Sequence, residues 1–194
     1  MLERVFMIIL VIIRSLSIQH LKGFLLTYKA RSQCSEIYVI IWFVVLITLL
    51  NLRGISEFVA WAVVGYRLID GLNYRLCIIF VDRYKSDWGL RSLNRSLILL
   101  FINYFEIVIG FAILYIVTGS AGYAEDLPIT NPSEGFYFSL VTITTLGYGD
   151  ITPIDPTGRA LSVIETSMGI LLTVLVIGTF LTGSSPIRHK EPSK

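Results

Sequence analysis

The chain has 194 residues, of which 54% are hydrophobic and 15% charged, with a formal net charge of +2. Soluble domains carry about 25% charged residues, so this composition excludes an ordinary soluble domain, and the gathering of apolar residues into long runs points to the membrane. The near-neutral balance gives no basic field for nucleic acid. Cys34 and Cys77 form neither a CxxC nor a metal-ligand spacing and have no histidine nearby, so they read as free thiols in apolar surroundings.

In chain order, residues 5–13 are a short apolar run without a convincing cleavage site. They are too short to span and are bracketed by Arg4, Arg14, Lys22 and Lys29, which fits an interfacial amphipathic helix better than a removed signal peptide. Residues 37–50 are an unbroken apolar run, ended by the turn Asn51-Leu52-Arg53-Gly54. Residues 58–80 return through the apolar layer while carrying Arg67, Asp70 and Arg75, and Arg67 and Asp70, as i,i+3 neighbours, can pair on one helical face. Residues 82–95 form a basic amphipathic linker along the inner membrane surface. Residues 97–117 are long enough for a span, which needs roughly 20 residues. A polar, Gly-containing segment follows over 118–131. Pro132-Ser133-Glu134 then reads as a helix start, with proline and an acid in the first turn. Its continuation over 136–144 is apolar and too short to cross. A second segment of spanning length covers 161–181.

Between the short helix and the last span lies Thr142-Ile143-Thr144-Thr145-Leu146-Gly147-Tyr148-Gly149-Asp150. The core of this stretch, Thr-x-Gly-Tyr-Gly at 145–149, resembles the selectivity filter of potassium channels. A dehydrated potassium ion needs a cage of oxygens in place of its water shell, and rings of backbone carbonyls from four chains can supply one. Turning successive carbonyls inward forces backbone angles that Gly147 and Gly149 adopt at little steric cost. The resemblance implies that Thr145, Leu146, Gly147, Tyr148 and Gly149 coordinate K+, with a ring of Thr145 hydroxyls at the inner end. Tyr148 would point away from the pore as a spacer. Thr142 supports the filter, and Asp150 marks its outer mouth, where it raises local cation concentration and can anchor the filter through a neighbouring side chain.

The order of outer helix, pore helix, filter and inner helix resembles the pore module of potassium channels over about residues 97–181. The expectation is an all-α membrane protein with four transmembrane helices and a re-entrant pore helix between the last two. Re-entrant backbone is tolerated only where protein surrounds it, and the C-terminal dipole of that helix would favour a cation in the pathway. The domain reading is an N-terminal cytoplasmic or interfacial segment (1–35), two upstream helices and a basic linker (36–96), the pore module (97–182) and a short cytoplasmic tail (183–194). Basic residues crowd the N-terminal arm, the linker and the tail. Acidic residues, from Glu57 to Asp155, dominate the other side, so both termini face the cytoplasm. With one filter segment per chain, a homotetramer in the lipid bilayer of a cell inner membrane follows. K+ is the permeant species at the filter, with no other cofactor and no nucleic-acid partner.

Other residues carry two readings each. Glu106, inside the outer helix with Asn103 one turn earlier, either pairs with the upstream helices, Arg67 being the candidate, or takes a direct part in gating. Glu165 packs behind the filter, or modulates filter stability and senses protons. Gly169 is a hinge of the inner helix or a close-packing site, and Gly178 is a packing site. The arginines at 67, 75, 83, 91 and 95 lack the three-residue repeat of a voltage sensor, which predicts shallow voltage dependence. No phosphate loop, metal-ligand cluster or nucleophile triad supports an enzyme, and a tail of 13 residues after 181 leaves no room for a ligand-sensing domain. Three rival readings differ from a selective channel. A non-conducting regulatory or structural subunit would tolerate a decayed filter. An uptake transporter would carry four divergent loops, and a non-selective channel would have an altered tyrosine.

Overall fold

The computed structural model describes residues 28–52, 54–80, 93–123 and 127–183. The interfacial helix expected at 5–13, the basic linker, Arg53, Glu125, Asp126 and the tail lie outside the described residues, as do the side chains of Cys34, Arg75, Cys77 and Gly178. Among the described residues five helices carry the fold: α1 (Tyr28–Asn51), α2 (Glu57–Phe80), α3 (Leu93–Thr118), α4 (Pro132–Ile143) and α5 (Pro156–Gly183). By length and composition, one helix among the described residues, Ile98–Thr118, is long and apolar enough to cross a membrane, and Ile37–Asn51 is a shorter apolar stretch.

The architecture is built around α3, which packs against α1, α2, α4 and α5. Every residue from 106 to 115 is buried. A helix apolar on all sides belongs inside a bundle, and α3 is apolar on all sides over residues 107–117. Leu46 of α1, Ala60 and Val64 of α2, Phe138 of α4, and Leu161 and Leu172 of α5 close the core around it. By contrast α1 leaves Ile37, Ile40, Ile41 and Val44 more than half exposed, an apolar flank suited to lipid.

Three short strands correct the all-α expectation: β1 (Ala121–Tyr123), β2 (Leu127–Pro128) and β3 (Thr152–Pro153). They form an antiparallel sheet in the order β2-β1-β3, pairing Gly122 with Pro128 on one side and with Thr152 on the other. Both prolines lie in edge strands, where a missing N–H does not interrupt a ladder. The sheet ties the segment after α3 to the segment leaving residue 150. It continues through Ile154, whose N–H donates to the Ser120 carbonyl at 3.0 Å.

The upstream hairpin is locked to α3 by charge. Arg67 of α2 is 2% exposed; one terminal nitrogen bonds Glu106 of α3 at 2.6 Å and the other bonds Asp70 at 3.3 Å. Arg67 also donates to Asn103 at 3.3 Å, and its guanidinium lies 5.4 Å from the Tyr38 ring centre and 5.8 Å from that of Trp42. Tyr38 in turn donates to Asp70 at 3.0 Å, so α1, α2 and α3 meet at one guanidinium. The planar fork of arginine suits this division of donors between two carboxylates. The pairing reading of Glu106 is the one the packing supports.

Breaking a buried pair leaves an uncompensated charge, at a cost of about 3–5 kcal/mol. Glu106→Ala should therefore lower the unfolding midpoint in graded denaturing detergent by a loss of that order, and Glu106→Gln, which keeps an acceptor and the side-chain volume, by less. An unchanged midpoint for Glu106→Ala would show that the pair contributes nothing.

Candidate functional site

The site begins where α4 ends. Pro132 opens the helix after Asn131, which makes no cap bond to the backbone but donates through Nδ2 to Glu134 at 2.9 Å. The helix closes on a Schellman motif. The Leu146 N–H returns to the Val141 carbonyl and the Thr145 N–H to the Thr142 carbonyl, both at 3.0 Å. That motif requires a left-handed residue, normally glycine. Here the position is Thr145, with φ of 58°. A β-branched residue in this region stores strain of about 1–3 kcal/mol, sustained by the two return bonds.

Gly147 and Gly149 follow with φ of 58° and 82°, so every second residue from 145 to 149 is left-handed. Alternating handedness turns successive peptide planes so that their carbonyls can share one side. Residues 144–150 are all exposed on the protomer. Tyr148, 66% exposed, lies parallel to Tyr137 of α4, with ring centres 6.5 Å apart. Asp150 accepts a hydrogen bond from the Tyr137 hydroxyl at 2.8 Å, which holds its carboxyl below the ordinary carboxylate value.

Behind this segment stands α5. Asp155 starts it, accepting the Gly158 N–H at 2.6 Å, with Pro156 in the first turn. Glu165 is fully buried and bonded to Ser139 of α4 and, at 2.8 Å, to Tyr115 of α3. Gly169 rests on the end of α4: a Cβ there would lie 2.7 Å from both the carbonyl oxygen and Cγ1 of Ile143. This geometry gives Gly169 a packing role. Between them, Thr166 donates to the Thr142 carbonyl at 3.4 Å.

The structure thus gathers Thr142, Glu165 and Gly169 at the base and wall of the 145–149 segment and sets Asp150 at its other end. Glu106 stands apart, turned toward Arg67. Two features had no counterpart in the sequence reading, the left-handed Thr145 and Ser139 with Tyr115 as partners of Glu165, while the anchoring expected of Asp150 finds its partner in Tyr137. The last span was expected from 161, but α5 starts at Pro156, a start that Asp155-Pro156-Thr157-Gly158, an N-cap acid followed by proline, signals.

Residues 97–182 match a family described as "Ion channel". The fold and the match together define an ion-channel domain, an integral membrane element. Among similar proteins, a hyperpolarization-activated voltage-gated potassium channel of Methanocaldococcus jannaschii is 30% identical over 76% of this chain and 61% of its own. A voltage-gated potassium channel of Aeropyrum pernix is 32% identical over 43% of this chain and 30% of its own. The voltage-gated potassium channel Kch of Escherichia coli is 26% identical over 68% and 37%. Over residues 97–182 the chain is thus similar to ion-channel pore modules, and the similar proteins are potassium channels by name. The chain spans from about a tenth to about three fifths of the length of the curated relatives it matches. No solved structure matches it significantly.

The Tyr137–Asp150 bond has a pH signature. Because the bond depresses the Asp150 value, its contribution is present at neutral pH and is lost as pH falls through the depressed value, below the ordinary carboxylate range near about 4. Tyr137→Phe should move Asp150 protonation to higher pH, observed by NMR titration of its carboxyl carbon. An unmoved titration would show that the hydroxyl does not hold the carboxylate.

Proposed function

We propose that the chain is a subunit of a potassium-selective channel, in which four copies surround a central pathway and K+ passes passively down its gradient. The observation that carries this reading is the Thr-Leu-Gly-Tyr-Gly segment, left-handed at 145, 147 and 149, hung from the C-terminal end of a short helix. The carbonyls of residues 145–149 and the Thr145 hydroxyl supply the coordinating oxygens, and Thr142 and Asp150 hold the two ends. A single protomer supplies one side of such a cage, which fits the exposure of residues 144–150. The exposed apolar residues Val163, Ile164, Ile170, Val174 and Ile177 of α5 suit burial against neighbouring copies or the lining of an inner vestibule.

In this reading α1, α2, α3 and α5 cross the bilayer, α4 re-enters from the outer face, and both termini lie in the cytoplasm. The irregular segment after α4 lines the cavity, where unpaired backbone is tolerated. Purified protein in liposomes should pass K+ in large excess over Na+, and native mass spectrometry should find four 21.9-kDa chains. Gly147→Ala should abolish selective flux without loss of membrane insertion, because φ of 58° is strained for alanine. Equal fluxes of the two ions, or a monomer, would overturn the reading.

The three relatives named above bear voltage-gated in their names, yet the Arg67 of this chain is bonded to the pore module itself. A charge crossing the full field gains about 2.3 kcal/mol per 100 mV, and Arg67 cannot travel without leaving Glu106 behind. Single-channel recording should therefore give an open probability that varies shallowly with voltage. A steep response abolished by Arg67→Gln would refute this.

A further inference from the structure

Glu165 sits where α3, α4 and α5 meet, and the hydrogens available there can be counted. The Ser139 hydroxyl lies 2.8 Å from the Val108 carbonyl and also within hydrogen-bond reach of Glu165 Oε1. A hydroxyl has one hydrogen, and a carbonyl can only accept. If Ser139 donates to Val108, the hydrogen between Ser139 and Glu165 must come from Glu165. On the other side, the Tyr115 hydroxyl donates to Glu165 Oε2 at 2.8 Å and, 3.1 Å from Ser162 Oγ, can accept from it. The bonds then run in one direction: Ser162 to Tyr115, Tyr115 to Glu165, Glu165 to Ser139, Ser139 to Val108. Each bond has its own hydrogen, and none is shared.

The charges agree with the count. Among the described residues the ion pairs are those of Arg67 with Asp70 and Glu106, and none involves Glu165. From α3, Tyr115 bonds to Glu165 and Tyr104 lies near enough to feel any charge on it, while Glu106 turns to Arg67. From α4 comes the uncharged Ser139; Glu134 and Tyr137 of that helix are held by Asn131 and Asp150. Arg159 of α5 is exposed. An ionised carboxylate buried without a cation is expensive, and a neutral acid with both oxygens bonded is not.

We infer that Glu165 is a neutral carboxylic acid whose proton completes a hydrogen-bond relay joining the outer helix, the short helix and the inner helix, and that losing this proton at alkaline pH alters conduction by loosening the wall behind residues 145–149. The effect on conduction rests on the channel reading; the protonation state does not. Removing the proton ends the donation to Ser139 and places a bare charge at the junction. One residue further along α5, Thr166 bonds the Thr142 carbonyl, and about one turn further Gly169 packs against the Ile143 carbonyl, both just before the left-handed Thr145.

The test combines infrared spectroscopy with flux on reconstituted full-length protein. A carboxylic-acid carbonyl band should be present at neutral pH, absent in Glu165→Gln, and lost in the wild type as pH rises. K+ flux of the wild type should change over the same pH interval. In Glu165→Gln, whose amide can donate to Ser139 and accept from Tyr115, that response should be lost. Ser139→Ala, which removes the acceptor, should shift the band frequency. Absence of a band assigned to Glu165 at neutral pH would overturn the relay. An unaltered pH response in Glu165→Gln, or a wild-type flux that stays flat while the band disappears, would overturn the switch. A wild type that conducts no ion would overturn the channel reading, and the band would still decide the state of Glu165.

Discussion

If residues 145–149 line an ion pathway as proposed, their carbonyls cannot be spent on their own chain, and the rest of this fold answers that constraint. Residues 145–149 have no helix or strand of their own, so they are held from their ends and from behind. The Schellman bonds fix the inner end to α4. Tyr137 holds the outer end through Asp150, and β3 carries the departing chain into the small sheet with β1. Glu165, Thr166 and Gly169 form the wall. Thr145 shows what this support sustains: a strained threonine at a position where glycine would be relaxed.

The same helix, α3, faces two polar clusters of different kinds. Toward α1 and α2 it presents Glu106 to a guanidinium already shared with Asp70, a charged junction between the pore module and the upstream hairpin. Toward α4 and α5 it presents the Tyr115 hydroxyl and the Val108 carbonyl to a junction with no cation among the described residues. Buried polar groups must be satisfied in either case. A charged junction is costly to separate, whereas a neutral one exchanges hydrogen bonds of about 0.5–1.5 kcal/mol each. The hairpin is therefore the firmly fastened side of α3, and the filter wall the side that can adjust.

The elements legible in the sequence were those written in long apolar runs or in helix-start signals. The run at 97–117 gave α3, and Pro132-Ser133-Glu134 gave the start of α4. Arg67, Asp70 and Glu106 were legible as a cluster because charges in apolar helices must find one another. The β-strands were not, because elements of two or three residues leave no periodicity, and the prolines at 128 and 153 argue against strands unless the edge positions are known. The left-handed φ of Thr145 was hidden because threonine is the wrong residue for it on steric grounds. Ser139 and Tyr115 read as ordinary members of apolar helices, and their partnership with Glu165 depends on how three helices pack.

Position along α5 links the two halves of the site. Glu165, Thr166 and Gly169 fall within about one helical turn, whose rise is about 5.4 Å. They meet α4 at Ser139, the Thr142 carbonyl and Ile143 respectively. A helix held so closely at three successive points cannot rotate at one of them without disturbing the others, since packed interfaces switch between discrete arrangements rather than deform smoothly. Gly169 lets α5 approach the Ile143 carbonyl, Thr166 bonds the Thr142 carbonyl, and Glu165 sets the spacing above them through Ser139. Any change in the hydrogen-bonding of Glu165 is consequently transmitted to the two peptide units from which residues 145–149 hang.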